Sequence, residues 1–176
     1  MLRVPAVGTL AISVRRATPS DAPALAELVN RAYEAERGFV DGDRTNTDEI
    51  AELTERGMFL VLDHGDGLAA SIYVERRGHA AYFGMLAVHP ALRGMGLGTR
   101  LVRIAEALGE AMGAAAMTLR IVNLREELAR WYKSLGYREV GTAPYDHRPV
   151  KRPCHFVDFA KDLPPAAGVS VALGAA

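Results

Sequence analysis

Hydrophobic positions along the chain follow two periods, and each period predicts one kind of secondary structure. Near the N-terminus, Leu, Ile and Val alternate with small or polar residues, which predicts a strand over Leu10–Ala17 with one buried face. A helical spacing of apolar residues follows, and this helix is expected to be capped by Thr18 and to end at Gly38. The chain therefore starts as a strand followed by a helix.

The later segments continue this alternation. A second helix is expected over Thr47–Arg56, and the turn residues at His64–Gly67 predict a β-hairpin. Gly84 lies in the middle of a predicted strand, where a glycine indicates a bulge or a close approach of backbone. The other predicted elements are strands at Met58–Leu62, Leu68–Glu75, Ala80–Val88, Ala116–Val122, Tyr137–Thr142 and Cys154–Lys161, and helices from the glycine-rich turn to Met112 and at Leu124–Leu135. Early hairpins and later crossovers predict a mixed sheet flanked by helices.

The balance of charge narrows the classes of function. The chain has 176 residues, with 21 Lys and Arg against 21 Asp and Glu, and its net charge is zero. A general binder of nucleic acid or of anionic membranes has a basic excess, so neither partner is expected. No stretch approaches the roughly 20 apolar residues of a membrane-spanning helix.

We expect a single domain over residues 1–163, followed by a flexible tail at Pro164–Ala176 that lacks aromatic and charged residues. The one cysteine, Cys154, allows neither an internal disulfide nor a zinc site made of cysteines. It favours a reducing, cytoplasmic compartment, and no metal is expected. Cys154 is interpreted as a structural thiol, with a nucleophilic role as the alternative.

The segment with the most specific chemistry is the glycine-rich turn Arg93–Gly98, which joins a strand to a helix. Backbone N–H groups in such a turn, together with the helix N-terminus, form an anion site suited to a pyrophosphate. The segment Gly98–Arg100 lacks the Gly-Lys-Ser/Thr ending of a Walker A loop, and the spacing fails the Gly-x-Gly-x-x-Gly dinucleotide fingerprint. A turn without a ligand remains an alternative, although each glycine costs about 1 kcal/mol of helix stability relative to Ala.

Two motifs in the right order resemble the GNAT superfamily of acetyl-CoA-dependent N-acetyltransferases. The first is Arg-x-x-Gly-x-Gly at Arg93–Gly98, and the second is Ala129–Tyr137, which has adjacent aromatic residues followed by Gly and Tyr. The order of elements from Leu10 to Leu163 also resembles that fold. The resemblance implies an α/β (α+β) fold with a mixed, mostly antiparallel sheet of about seven strands and about four helices. A splayed central pair of strands would bind acetyl-CoA.

The resemblance also implies roles for individual residues. Tyr132 would protonate the departing CoA thiolate, and an N–H near Met85 or Leu86 would polarise the thioester carbonyl. Asn123 either contacts CoA or merely begins the helix, because the position that is Asn in many relatives is Arg125 here. The implied acetyl-CoA-binding residues are Leu86, Ala87, Val88, Arg93, Gly94, Met95, Gly96, Leu97, Gly98, Thr99, Arg100 and Asn123.

The general base is missing from the positions where relatives carry it, since neither Ala80–Val88 nor Ala116–Val122 contains an acid. A water-relayed base or a weakly basic acceptor are the two hypotheses. The relay candidates are Tyr82, His89, Glu75 and His155. The acceptor is expected between the loops at 38–46 and 144–153, where Asp146, His147, Arg148, Lys151 and Arg152 either select an anionic acceptor or form a solvated loop.

The expected function is transfer of an acetyl group from acetyl-CoA to a primary amine, on a small molecule or a peptide, by direct attack in a ternary complex. A non-catalytic acyl-CoA-binding or regulatory module is the alternative, and a nucleotide-binding domain is a weaker third reading. A homodimer, which is common among such proteins, remains open.

Overall fold

The computed structural model describes residues 13–65 and 67–165, and these residues form seven strands and four helices. Two predicted segments lie partly outside the described residues. They are the strand at Leu10–Ala17, of which the first part is not described, and the tail at Pro164–Ala176, of which most is not described. The strands are β1 Ser13–Arg16, β2 Met58–His64, β3 Gly67–Arg77, β4 Ala80–Val88, β5 Ala116–Val122, β6 Arg138–Pro144 and β7 His155–Asp162. The helices are α1 Ala22–Ala32, α2 Thr47–Arg56, α3 Leu97–Ala111 and α4 Glu126–Ser134.

The strands form one sheet in the order β1-β2-β3-β4-β5-β7-β6. Every neighbouring pair is antiparallel except β4 and β5, which are parallel and are connected through α3. The predicted mixed, mostly antiparallel sheet with four flanking helices is therefore confirmed.

The helices cover opposite faces of the sheet because neighbouring strand residues point to opposite sides. On one face, Leu25 of α1 and Ile50 of α2 pack with Phe59 of β2. On the other face, Leu101 of α3 packs with Phe83 and with residues of β5 and β7. Each of these buried side chains stabilises the fold by about 1.5–3 kcal/mol.

The first helix ends earlier than the sequence predicts, whereas the bounds of the second helix agree with the prediction. The first helix is α-helical only to Ala32, and the chain continues as a 3₁₀ turn over Glu34–Gly38. The N-cap of α2 is Asn46, since the Asn46 side chain accepts a hydrogen bond of 2.9 Å from the backbone N–H of Glu49. The 3₁₀ turn contributes residues to the site described below.

A β-bulge interrupts β4 at its centre. Tyr73 of β3 is opposite Gly84, whereas Ser71 is opposite Ala87, so β4 contains one extra residue in this interval. Met85 adopts a left-handed backbone with φ of 47°, and it is the residue that strains the strand. The predicted bulge is present, but the left-handed residue is Met85 rather than Gly84. Gly84 serves close packing, because a Cβ there would lie 2.7 Å from the Tyr82 hydroxyl.

The parallel pair β4 and β5 separates beyond the bulge. The two strands pair through Ala80, Ala81 and Tyr82 of β4, and the pairing ends at Tyr82 and Thr118. From Phe83 onward, the backbone groups of β4 that face β5 have no strand partner among the described residues. This separation opens a wedge in the middle of the sheet.

The loops that follow α1 and β6 close one end of this wedge. Val40 and Val150 form an isolated antiparallel bridge, and the backbone N–H of Asp41 donates a 3.0 Å hydrogen bond to the Pro149 carbonyl. The Arg148 guanidinium donates a hydrogen bond to the carbonyl of Arg44. Segments that are distant in the sequence are thereby held side by side.

Candidate active site

A cavity of about 620 Å³ occupies the wedge between β4 and β5. Its walls come from the separated halves of these strands, the glycine-rich turn, one side of α4 and the two packed loops. The cavity therefore connects the glycine-rich turn at one end with the loops at the other.

The glycine-rich turn presents unpaired backbone N–H groups at the start of α3. Gly94 and Gly96 have left-handed φ values of 79° and 78°, and open space surrounds both. The first helical bond of α3 runs from the Arg100 N–H to the Gly96 carbonyl, and the N–H groups of residues 94–99 donate to no described residue. Such a cradle, at the positive end of a helix, fits the pyrophosphate of acetyl-CoA.

Most residues predicted to bind acetyl-CoA line the cavity. They are Leu86, Val88, Arg93, Gly94, Gly96, Leu97, Gly98 and Thr99. The Arg93 guanidinium donates a 3.2 Å hydrogen bond to the Ala32 carbonyl, which ties the turn to the end of α1. Gly98 lies against Trp131, with 3.5 Å between a Cβ built at Gly98 and the indole ring.

Four of the predicted acetyl-CoA-binding residues lie outside the lining. Ala87 is buried with the α1 side of the core, whereas Met95 and Arg100 are exposed. Asn123 joins two strands instead, because its side-chain oxygen accepts a 2.9 Å hydrogen bond from the N–H of His155. Its own N–H donates to the His155 carbonyl. In this structure Asn123 extends the β5–β7 pairing, so the CoA contact left open for it has no support here.

Tyr132 of α4 places its phenol in the cavity wall. Its ring packs between Trp131 and Phe83, with centroid distances of 4.8 and 5.9 Å. The hydroxyl has no hydrogen-bond partner among the described residues, yet it is not fully enclosed, so it opens on the cavity. Burial, together with the nearby Tyr33 and Tyr82, raises the pKa of Tyr132 well above its ordinary value. The phenol therefore keeps its proton and can donate it.

Of the four predicted relay residues, only Tyr82 lines the cavity. Glu75 is paired elsewhere, since the Tyr73 hydroxyl donates to it at 2.6 Å and Arg77 forms a salt bridge with it. His89 accepts a hydrogen bond from the N–H of Ala91, and His155 is exposed on β7. The geometry therefore does not favour Glu75, His89 or His155 as relays.

The acceptor end of the cavity is the end at the two packed loops, where the acceptor is expected. It contains acids that the sequence analysis missed. Glu36, in the 3₁₀ turn after α1, lines the cavity and forms a 3.1 Å salt bridge with Arg125. Both side chains are about one-eighth exposed. Burial raises the pKa of Glu36 above its ordinary value, although Arg125 and Arg44 oppose this shift. Glu127 lies on the other side of Arg125, at 2.6 Å.

Cationic side chains also line this end of the cavity. They are Arg44, Arg120, Arg125 and Arg148, and the His147 side chain lines the same end. Arg148 and His147 belong to the loop at 144–153, for which the sequence allows either selection of an anionic acceptor or a solvated loop. No sequence pattern pointed to Arg44 or Glu36 as site residues, because both lie outside any motif.

Cys154 is half-buried just before β7, and burial raises the pKa of its thiol. No group of three or more potential metal ligands occurs among residues 13–65 and 67–165. No helix in the described part of the chain is long and apolar enough to cross a membrane.

A seven-stranded mixed sheet that is splayed beside a glycine-rich turn is the arrangement that the resemblance to the GNAT superfamily implies. A family model for the Acetyltransferase (GNAT) domain matches residues 55–139 of the chain. The resemblance to the GNAT superfamily is therefore confirmed over this segment of the chain. No curated protein matches the chain in sequence.

Solved structures share the fold over nearly the whole length. The ribosomal-protein-S18-alanine N-acetyltransferase from Escherichia coli aligns with a TM-score of 0.73 and 19% identity, covering 91% of this chain and 98% of that one. The putative acetyltransferase yncA from Salmonella typhimurium, solved with its cofactor acetyl-CoA, aligns with a TM-score of 0.71 and 21% identity, covering 90% and 97%. An N-acetyltransferase from Staphylococcus aureus Mu50 aligns with a TM-score of 0.70 and 16% identity, covering 87% of this chain and 99% of that one.

Proposed function

We propose that the protein is an acetyl-CoA-dependent N-acetyltransferase that acts on a primary amine. The observation that carries this proposal is the joint placement of three features in one cavity. These features are the unpaired N–H groups of residues 94–99, the unpaired edge of β4 beyond Tyr82, and the open hydroxyl of Tyr132. A pyrophosphate, a pantetheine arm and a thioester require these three features in this order along the wedge.

Acetyl-CoA would lie with its pyrophosphate on the turn and its pantetheine arm along Leu86–Val88, as a peptide adds to the edge of a sheet. The bulge at Met85 turns the backbone of β4 where the thioester would lie. A backbone N–H at this position stabilises the oxyanion that forms when the carbonyl is attacked.

The reaction would proceed by direct transfer. The amine nitrogen uses its lone pair to form a bond with the thioester carbon, and the C–S bond then breaks as the carbonyl re-forms. Tyr132 donates its phenolic proton to the departing CoA sulfur. The proton lost by the amine nitrogen goes to a carboxylate in the cavity, and solvent returns a proton to Tyr132. The products are the acetamide and free CoA thiol.

We assign Glu36 as the proton acceptor, directly or through one water. A lysine-like amine with a pKa of about 10.4 needs about 4.6 kcal/mol to lose its proton at pH 7, whereas an α-amine near 8 needs only about 1.4 kcal/mol. Glu36 is an acid that lines the cavity and whose pKa is raised by burial, so its basicity suits an α-amine. Its salt bridge with Arg125 fixes the position of its carboxylate.

The proposal is tested by thiol release from acetyl-CoA against a panel of amines, with calorimetric titration of CoA in parallel. Amino acids, polyamines, aminoglycosides and peptides represent the main acceptor classes. Amine-dependent thiol release supports the proposal. CoA binding without thiol release from any amine contradicts it and favours a non-catalytic acyl-CoA-binding module.

A further inference from the structure

We infer that the acceptor is an amine that also carries an oxyanion, a carboxylate or a phosphonate, which Arg44 binds. This inference rests on the proposed function and names the substrate class of the same cavity. The arginines at the acceptor end of the cavity differ in how their charges are compensated.

Two of these arginines are already neutralised by acids of the protein. Arg125 contacts Glu36 at 3.1 Å and Glu127 at 2.6 Å. Arg120 forms a two-point contact with Asp158, at 2.6 and 3.1 Å, above the ring of Phe156. An incoming anion would have to compete with these carboxylates, so neither arginine is the natural anchor.

Arg44 is different because no carboxylate of the described residues contacts it directly, and the nearby Glu36 pairs with Arg125 instead. Within residues 13–65 and 67–165, its guanidinium forms no salt bridge and donates no hydrogen bond, although it is half-buried and lines the cavity. A half-buried cation without a directly paired carboxylate is only partly compensated, and a bound anion would complete that compensation. Arg148 adds a second positive charge, which a long salt bridge of 3.8 Å to Glu49 compensates only in part.

The backbone and the side chain of Arg44 are both held in place. The next residue, Thr45, is buried, and its N–H and carbonyl form two 3.0 Å hydrogen bonds with the side chain of Asn30. The guanidinium lies over the ring of Tyr33, 5.4 Å from its centroid. This stacking orients the planar fork, which binds carboxylates and phosphonates through two parallel hydrogen bonds.

The arrangement also separates two charges of the acceptor. The oxyanion would meet Arg44 and Arg148, whereas the ammonium would meet Glu36, which lines the same end of the cavity. A small amino acid or aminophosphonate carries both charges close together. A polyamine would instead place a second cation against the two arginines and would be rejected.

The test compares kcat/KM for acceptors that differ only in this charge, in the wild-type protein and in Arg44→Gln. The acceptors are an α-amino acid, the corresponding aminophosphonate and the uncharged amino acid amide. Arg31→Ala is the matched control, because Arg31 is an exposed arginine of α1 that pairs with Glu27 outside the cavity.

We expect the wild-type protein to prefer at least one of the two anionic acceptors over the amide by about ten-fold or more. Arg44→Gln should reduce this preference to about two-fold by raising KM for the anion, with KM for acetyl-CoA unchanged. Arg31→Ala should keep it. The two anionic arms distinguish a carboxylate acceptor from a phosphonate acceptor.

An amide that reacts as well as both anions would overturn the inference while leaving acetyl transfer intact, and so would an unchanged preference in Arg44→Gln. Absence of thiol release from every amine would overturn the proposed function itself, and the inference with it.

Discussion

At the scale of single residues, the hydroxyl of Tyr132 leads to the first prediction. We expect Tyr132→Phe to lower kcat about 100-fold, because the departing thiolate loses its proton donor, and to leave CoA affinity within about two-fold. Thiol-release kinetics and calorimetric titration of CoA measure the two effects. Since burial raises the pKa of Tyr132, ionisation of this phenol should not reduce kcat at any pH up to about 10.

Tyr137→Phe is the control for this substitution. The Tyr137 hydroxyl donates a 2.8 Å hydrogen bond to Glu106 and lies outside the cavity lining. Its removal should cost about 1 kcal/mol of the free energy of unfolding and leave kcat unchanged. Equal turnover in Tyr132→Phe and the wild-type protein would remove Tyr132 from the mechanism.

Glu36 gives the second prediction, which concerns pH. A base must be deprotonated to act, so kcat/KM should rise with pH through the pKa of Glu36, which burial holds above its ordinary value. Glu36→Gln should lower kcat/KM about 100-fold and abolish the rise with pH that comes from Glu36. Only the rise that comes from deprotonation of the amine should remain. A full pH–rate profile measures both effects.

The exposed acid Glu34, in the same 3₁₀ turn, provides the control for Glu36. Glu34→Gln should retain the wild-type profile because Glu34 does not line the cavity. If Glu36→Gln also retained the rise of kcat/KM that is assigned to Glu36, the proton acceptor would have to be another group. Of the four relay candidates predicted from the sequence, Tyr82 with a bound water is the one that remains.

The contrast between Tyr132 and Glu36 shows what sequence can predict at this scale. Tyr132 belongs to a motif with fixed local spacing, so its position on α4 and at the cavity followed from the sequence. Glu36 faces the cavity only because α1 gives way to a 3₁₀ turn after Ala32 and because Arg125, distant in sequence, pairs with it. No local pattern contains either cause.

At the scale of elements, the glycine-rich turn provides the third prediction. Gly94 requires a left-handed backbone, and an Ala there costs about 1–2 kcal/mol or rotates the peptide groups of the turn. We expect Gly94→Ala to weaken acetyl-CoA binding about ten-fold because the N–H groups of residues 94–99 no longer converge. Calorimetric titration of CoA measures this loss.

Gly78→Ala tests whether the loss is specific to the turn. Gly78 is also left-handed, with φ of 60° and open space around it, but it lies in the β3–β4 hairpin. It should show the same loss of stability with unchanged CoA affinity. Equal CoA affinity in both variants would mean that the turn does not bind the pyrophosphate.

Most elements were predictable because the signals that define them are local. The alternation in β4 and β5 gave bounds that agree with the structure, and the hairpin residues placed the β2–β3 turn. The bulge was predicted from Gly84, yet the left-handed residue is Met85. The reason is tertiary: Met85 is buried against α1, and this packing outweighs the backbone preference of a non-glycine residue.

At the scale of the whole molecule, the wedge between β4 and β5 gives the fourth prediction. A ligand that binds only the folded chain stabilises it, and acetyl-CoA at 100 times its Kd should add about 2.7 kcal/mol to the free energy of unfolding. Thermal unfolding with acetyl-CoA, ATP and NAD should show a higher Tm for acetyl-CoA alone. Stabilisation by ATP or NAD but not by acetyl-CoA would favour the nucleotide-binding alternative.

The same wedge leaves the two parts of the sheet joined by few backbone pairs, although the core on the α3 face spans both parts. Three registered pairs connect β1–β4 to the three-stranded unit β5-β7-β6, and on the α1 face the core contains no residue of the latter in the described chain. Such a seam favours sub-global opening, in which one unit loosens while the other stays folded. The amides of Phe83–Val88 that face β5 should therefore exchange hydrogen quickly in the free protein and slowly once the pantetheine arm pairs with them, whereas the amides bonded to β3 should stay protected. Substrate binding would also make unfolding more cooperative.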